Sequence, residues 1–301
     1  MPQLLVIIGG PTASGKTGMA LQIAKYFRTE IVSADSRQFF RELNIGTAKP
    51  SPQELSEVPH HFINSHSLTE SFNAADYGEQ ARKLIQELFK KHDVVVMAGG
   101  SGLYIDAVIH EIDDLPKVDN ATSELLDNIF QTKGISALQS MLSEADPATA
   151  AVIDLNNPRR VIRALGITLS SGKKYSELIG KKSKKPHFNF LMAGINHPRE
   201  ELYERIHLRT RQMISDGLLA EVVSVAAFRQ NQALQTVGYR EFFDYLDEKV
   251  SFEDAVLKIE QHTRNYAKRQ LTWFRKYSDM IWLQPDCETD LIEIIKKRLA
   301  E

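Results

Sequence analysis

The sequence predicts an α/β protein. Its core is P-loop NTPase-like, with a parallel sheet flanked by helices, and it carries an all-helical insertion. Three observations lead there. Short apolar runs alternate with helix-period patterns over the first hundred residues, which is how a parallel sheet covered on both faces reads. The first run enters a glycine loop that opens a helix. From about residue 113 to 187 strand signals vanish while helical ones persist.

The elements follow in order. Leu4-Leu5-Val6-Ile7-Ile8 is a buried strand. "GGPTASGKT" then fits G-x-x-x-x-G-K-[ST], with Gly10, Gly15, Lys16 and Thr17 in the fixed places. The helix from Lys16 carries Met19, Ala20, Ile23, Ala24 and Phe27 as its apolar face. Glu30 to Ala34 is a second strand ending at Asp35. Ser51, Pro52 and Glu54 form the start of a short helix, with a capping box. A helix from Gly78 has Ala81, Leu84, Ile85, Leu88 and Phe89 on one side. It feeds the strand Val94-Val95-Val96-Met97 and the turn "AGGSG". In the insertion, Leu125, Leu126, Ile129 and Phe130 form one apolar stripe, and Val161, Ile162, Leu165 and Leu169 another. A tract with six lysines (173, 174, 181, 182, 184 and 185) follows. Phe188 to Ile195 reads as a strand returning to the sheet, and Met280 to Leu283 as the last strand. The expected division is a core in two parts, 1–112 and 188–301, around an insertion at 113–187.

Composition sets limits. The chain has 301 residues, 43% of them hydrophobic and 25% charged, with net charge −2. A sizeable core is within reach, and contact with nucleic acid has to come from local patches. No apolar run approaches the ~20 residues of a membrane span, and Leu4 to Ile8 is too short for a signal peptide. One cysteine, Cys287, excludes an internal disulfide or a multi-cysteine zinc site. A cytoplasmic protein without membrane contact is expected.

Several residues are candidates for chemistry. The loop Gly10, Pro11, Thr12, Ala13, Ser14, Gly15, Lys16 and Thr17 cradles phosphate through backbone N–H groups. Lys16 adds a point charge, and the Thr17 hydroxyl can ligate Mg²⁺. Asp35 closes its strand where open α/β sheets place ligands; it reads as a general base or metal ligand, and equally as a turn aspartate. Ser101 is the exposed hydroxyl of a turn that lacks the acidic residue common in P-loop phosphotransferases. Arg205 and Arg209 share a helix face and could clamp phosphate, or pair with Glu200, Glu201 or Glu204. Residues 264–276 interleave five basic residues with Tyr266, Trp273 and Phe274. That suits either a nucleic-acid surface or a helix with a solvated cationic face. His60-His61 has no second ligand pair at a sensible spacing.

Taken together, "GPTASGKT", "SADSRQF", "IGTAKP", "AADY", "AGGSGLY", "NNPRRVIRAL", "VGYREF" and "AKRQLTWFRK" resemble the tRNA dimethylallyltransferases, or tRNA isopentenyltransferases, over nearly the whole chain. The resemblance implies transfer of a dimethylallyl group from dimethylallyl diphosphate to N6 of the adenosine 3′-adjacent to the anticodon, in tRNAs reading codons that begin with U. Diphosphate would be released and Mg²⁺ used. It makes Asp35 the base, Ser101 the acceptor hydroxyl and Arg209 a partner of the leaving group. It places Asp35, Ser36, Arg37, Gln38, Ser101, Ser123, Arg159, Arg160, Val161, Ile162, Arg163, Gly238, Tyr239, Arg240, Lys268, Arg269 and Arg275 against the tRNA anticodon stem-loop, with the insertion gripping the stem. The expected protein is a monomer of bacterial type. Asn44 stands where an acidic residue is expected, and Ser101 where threonine is usual. Two rivals remain at this point. A P-loop small-molecule kinase shares the loop and explains Asp35. A nucleotide-gated RNA-binding module explains the basic patches.

Overall fold

The computed structural model describes residues 2–113, 115–181, 187–285 and 287–301. Contacts divide the chain into two units, residues 1–109 with 186–301, and residues 110–185.

In the first unit, β1 (Leu4–Gly9) leads through the glycine loop to α1 (Lys16–Phe27), β2 (Ile31–Ser33), α2 (Pro52–Glu57), β3 (His60–His61), α3 (Ala74–Leu88), β4 (Val94–Gly99) and α4 (Gly102–Ile109). The second unit holds α5 (Asn120–Ala145, broken at Gly134), α6 (Pro147–Ala150), α7 (Pro158–Ser171) and α8 (Tyr175–Leu178). The first unit resumes with β5 (Phe190–Ile195), α9 (Arg199–Ser215), α10 (Leu218–Ser224), α11 (Tyr239–Leu246), α12 (Phe252–Phe274), β6 (Ile281–Leu283) and α13 (Glu288–Ala300).

The six strands run in the order β3-β2-β4-β1-β5-β6, and every pair is parallel. Both faces are covered, so β1 is apolar throughout. Leu4, Val6 and Ile8 pack toward α1 and α13, while Leu5 and Ile7 pack toward α3, α4 and Phe274. A third core joins the 39–43 segment to α10, α11 and α12 around Phe39, Tyr239 and Phe242.

Some local details differ from the expectations or add to them. The third helix begins at Ala74, because Asn73 caps it in a capping box with Asp76. His60-His61 forms an edge strand too short to show a period, and His61 Nε2 lies 2.7 Å from Glu30 Oε2. Within the helical unit Leu126, Val161 and Leu165 are buried, but Leu125 and Leu169 are exposed and drop out of their stripes. Of the lysine tract, 182, 184 and 185 lie outside the described residues. Among the described residues no helix is long and apolar enough to cross a membrane.

Candidate active site

The C-terminal ends of β1, β2 and β4 converge on one cavity of about 160 Å³. The parallel topology makes this the expected ligand position. Thr12, Ala13, Lys16 and Thr17 come from the glycine loop. Asp35, Arg37 and Gln38 follow β2, and Gly99 and Gly100 end β4. Helix α9 adds Ile206, Arg209, Thr210 and Met213. Helix α12 adds Ile259, Thr263, Tyr266 and Gln270. Leu218, Val237 and Gly238 complete an apolar part of the wall.

Gly15, at φ 90°, caps α1. The loop is braced from outside: Arg205 Nε donates to the Ala13 carbonyl at 2.8 Å, and His197 Nε2 lies 3.0 Å from the Ser14 carbonyl. Arg205 therefore supports the loop, and of the candidate pair Arg205 and Arg209 it is Arg209 that lines the cavity. Lys16 Nζ donates to the Pro11 carbonyl. Burial lowers the Lys16 ammonium to about 7, helped by Arg209 and opposed by Asp35. Burial likewise lowers Arg209, with Asp35 again opposing. Lys16 and Arg209, both desolvated beside Asp35, make a site that gains from an added anion.

Asp35 Oδ1 accepts the Arg37 N–H at 2.9 Å, which orients the carboxylate. Ser101 sits just before α4 and is not itself part of the cavity lining; its Oγ accepts the Ser36 N–H at 3.0 Å. Tyr266 lies beside Ser101, and burial followed by the charge of Asp35 raises its phenol to about 12. Gln38 donates to the Thr47 and Ala48 carbonyls at 3.2 and 3.1 Å.

Two residues expected against RNA have buried side chains. Val161 is buried in the helical core and Tyr239 in the third core of the other unit. Each is the apolar-facing member of its helix, so neither side chain can reach an RNA. Gly238 lines the cavity, but its N–H donates to Glu241 at 2.7 Å. Ser123, Arg159, Arg160, Arg163, Arg240, Lys268, Arg269 and Arg275 are exposed, and Ile162 is half-buried. Asn44 is also exposed; its N–H donates to Glu221 at 2.8 Å.

Sequence reading missed Gln270 and Glu221. Gln270 was absorbed into a basic-aromatic run. Glu221, whose carboxylate holds the 44–46 backbone, stands in a short helix without any motif. Among the described residues no group of three or more His, Cys, Asp or Glu is placed to hold a metal.

A family model described as IPP transferase matches residues 38–277. The tRNA dimethylallyltransferase 1 of Phocaeicola vulgatus is 42% identical over 295 residues, covering 98% of both chains. A tRNA dimethylallyltransferase of Cytophaga hutchinsonii is 43% identical over 298 residues, 99% of this chain and 98% of that one. Among solved structures, the tRNA isopentenylpyrophosphate transferase of Bacillus halodurans superposes with TM-score 0.74 at 36% identity, covering 100% of this chain and 97% of the other. A eukaryotic dimethylallyltransferase acting on tRNA superposes with TM-score 0.78 at 25% identity, covering 94% and 74%.

Proposed function

The chain belongs to the IPP transferase family, and we propose that this cavity is where it transfers a dimethylallyl group from dimethylallyl diphosphate to N6 of the adenosine 3′-adjacent to the anticodon, in tRNAs reading codons that begin with U. It is an enzyme, a prenyltransferase that modifies tRNA. The supporting observation is the mixed lining. One desolvated cavity combines Lys16, Arg209 and Thr17 with Ile206, Met213, Leu218, Val237 and Ile259, and holds a single carboxylate, Asp35. Cations and a hydroxyl suit a diphosphate, and apolar side chains suit a branched five-carbon chain.

In the reaction a bond forms between N6 and the allylic carbon while that carbon's bond to the diphosphate oxygen breaks. The N6 proton passes to Asp35, and diphosphate departs. Lys16 and Arg209 stabilise the negative charge that grows on the leaving group. Asp35, held by the Arg37 N–H, is the base. Excluding water protects the cation-like carbon from hydrolysis. The donor set also fits Mg²⁺. The Thr17 hydroxyl, with no metal-holding carboxylate cluster among the described residues, suits an ion that takes most of its oxygens from phosphate and water, with Thr17 as the protein ligand. When bound, the ion supplies further neutralisation of the departing diphosphate.

The adenine must leave the anticodon-loop stack to reach the cavity, which costs a few kcal/mol in an unpaired loop. Exposed Ser123, Arg159, Arg160 and Arg163 on the helical unit, and Lys268, Arg269 and Arg275 on and just after α12, are the proposed contacts to the anticodon stem-loop. The protein acts as a cytoplasmic monomer. The test incubates it with Mg²⁺, labelled dimethylallyl diphosphate and unmodified tRNA. Label in the RNA, lost ~10²-fold or more in Asp35→Asn, is the expected outcome. Phosphoryl transfer from ATP with no label in RNA would favour the kinase.

A further inference from the structure

Gln270 stands on α12 with its side chain turned into the cavity, and the residue is only 6% exposed. Its Oε1 accepts the Thr12 N–H at 2.8 Å, and its Nε2 donates to the Gly100 carbonyl at 2.9 Å. The orientation of the amide is fixed by chemistry. A backbone N–H can only donate and a backbone carbonyl can only accept, so a flipped carboxamide would lose both bonds. A Cβ on Gly100 would lie 2.2 Å from Nε2, so this approach requires glycine there. One side chain thus joins the loop after β1 to the turn after β4, next to Ser101. It also removes the Thr12 N–H from the groups free to bind phosphate. The same helix carries Lys268 and Arg269 exposed on its other side.

Building on the alkyl-transfer reading, we propose that Gln270 is a positioning residue. It locks the diphosphate loop and the Ser101 turn to the helix whose outer face meets tRNA, so that leaving group and acceptor are aligned from one element. Gln270 itself touches neither the allylic carbon nor N6.

The test is Gln270→Glu, compared with wild type across pH. An ionised glutamate sets a carboxylate oxygen against the Gly100 carbonyl and breaks that bond. A protonated glutamate restores a donor on that side and an acceptor for Thr12, and so imitates glutamine. Lys16, Asp35, Arg37, His60, Arg209 and Tyr266 line the same cavity. They are present in both proteins, and Gln270→Ala, which adds no charge, is the reference for their own titration. At about pH 8 the kcat/KM for dimethylallyl diphosphate falls tenfold or more, as for a lost buried hydrogen bond. The ratio recovers several-fold by about pH 6, because burial against a carbonyl favours the neutral acid. Gln270→Ala shows a comparable loss that does not change with pH. Binding of tRNA stays within about twofold in both variants, as surface phosphate contacts are untouched.

With an active wild type, a pH-independent Q270E ratio would overturn the proposal. So would a loss confined to tRNA binding with an unchanged KM for the diphosphate. If the charge unfolds Q270E at pH 8, melting temperatures replace rates. A deficit against wild type that shrinks on acidification supports the proposal, and a constant one overturns it. A wild type that puts no label into tRNA refutes the alkyl-transfer reading instead, before any variant is compared.

Discussion

Replacing Glu221 by alanine removes the anchor of one wall of the cavity. Its carboxylate accepts the N–H groups of Asn44, Ile45 and Gly46 at 2.8, 2.8 and 2.9 Å, and the Tyr239 hydroxyl at 2.6 Å. Gly46, Thr47 and Ala48 line the cavity beyond that anchor. Gly46 also lies directly on the Tyr239 ring, which a Cβ would meet at 2.6 Å. Asn44 is exposed, so water can replace its bond. Ile45 and Gly46 are half-buried, and Tyr239 is 0% exposed. Three sheltered donors would lose a charged acceptor. At roughly 1 kcal/mol net for each, the variant should be about 3 kcal/mol less stable. Both tryptophans, Trp273 and Trp282, lie in the unit that contains Glu221. Urea unfolding followed by tryptophan fluorescence therefore reports on that unit alone. A loss below about 1 kcal/mol, with an unchanged KM for the prenyl diphosphate, would mean the loop holds its shape without Glu221.

Lys16→Ala and Arg209→Ala should lower the rate of the chemical step measured in single-turnover kinetics, because both charges line the cavity proposed for the diphosphate; a change in the tRNA Michaelis constant alone would contradict that role. Asp146 is 0% exposed and accepts from Thr149 and Ser176, which join α6 and α8. Burial opposes ionisation, but these bonds outweigh it and bring the carboxyl from 3.8 to about 2. The carboxylate's contribution is thus complete above about pH 4 and lost as pH falls toward 2. Asp146→Asn should lower hydrogen-exchange protection in α6–α8 at neutral pH, and equal protection would refute this. In a Lys→Gln variant at 181, 182, 184 and 185, the log-log salt dependence of tRNA binding should flatten by about one unit per lost phosphate contact. An unchanged slope would make the tract ordinary solvated surface.

The sequence made the frame legible because each feature is local. Leu4 to Ile8 is apolar at every position, which only a doubly covered strand requires, and the glycine loop has fixed spacing. Ser51-Pro52-Glu54 stated its own cap, and the capping box is present. The cavity floor was legible for the same reason: Lys16 and Thr17 close the loop motif after β1, and Asp35 comes just after β2, at the strand ends where topology places ligands. What stayed hidden depends on contacts between distant segments. Nothing near Glu221 in sequence announces a bond to residues 44–46, and Gln270 meets Thr12 across 258 positions. Periodicity also could not tell which flank of a stripe faces water, so Leu125 and Leu169 were assigned to a core that excludes them.

Helix α12 shows why the run at 264–276 supported two readings at once. Ile259, Thr263, Tyr266 and Gln270 recur at steps of four, three and four, and all four line the cavity. Lys268 and Arg269 fall between those positions, Thr272 just beyond the last of them, and all three are exposed. Phe274 is fully buried against the sheet and fixes the helix's far end. The cationic surface and the inward packing helix are therefore the two faces of one element. A rigid helix cannot shift under load on its outer face without moving the inner one. In the proposed tRNA complex, phosphates at Lys268 and Arg269 would meet the outer face of the element whose inner face holds Gln270 against Thr12.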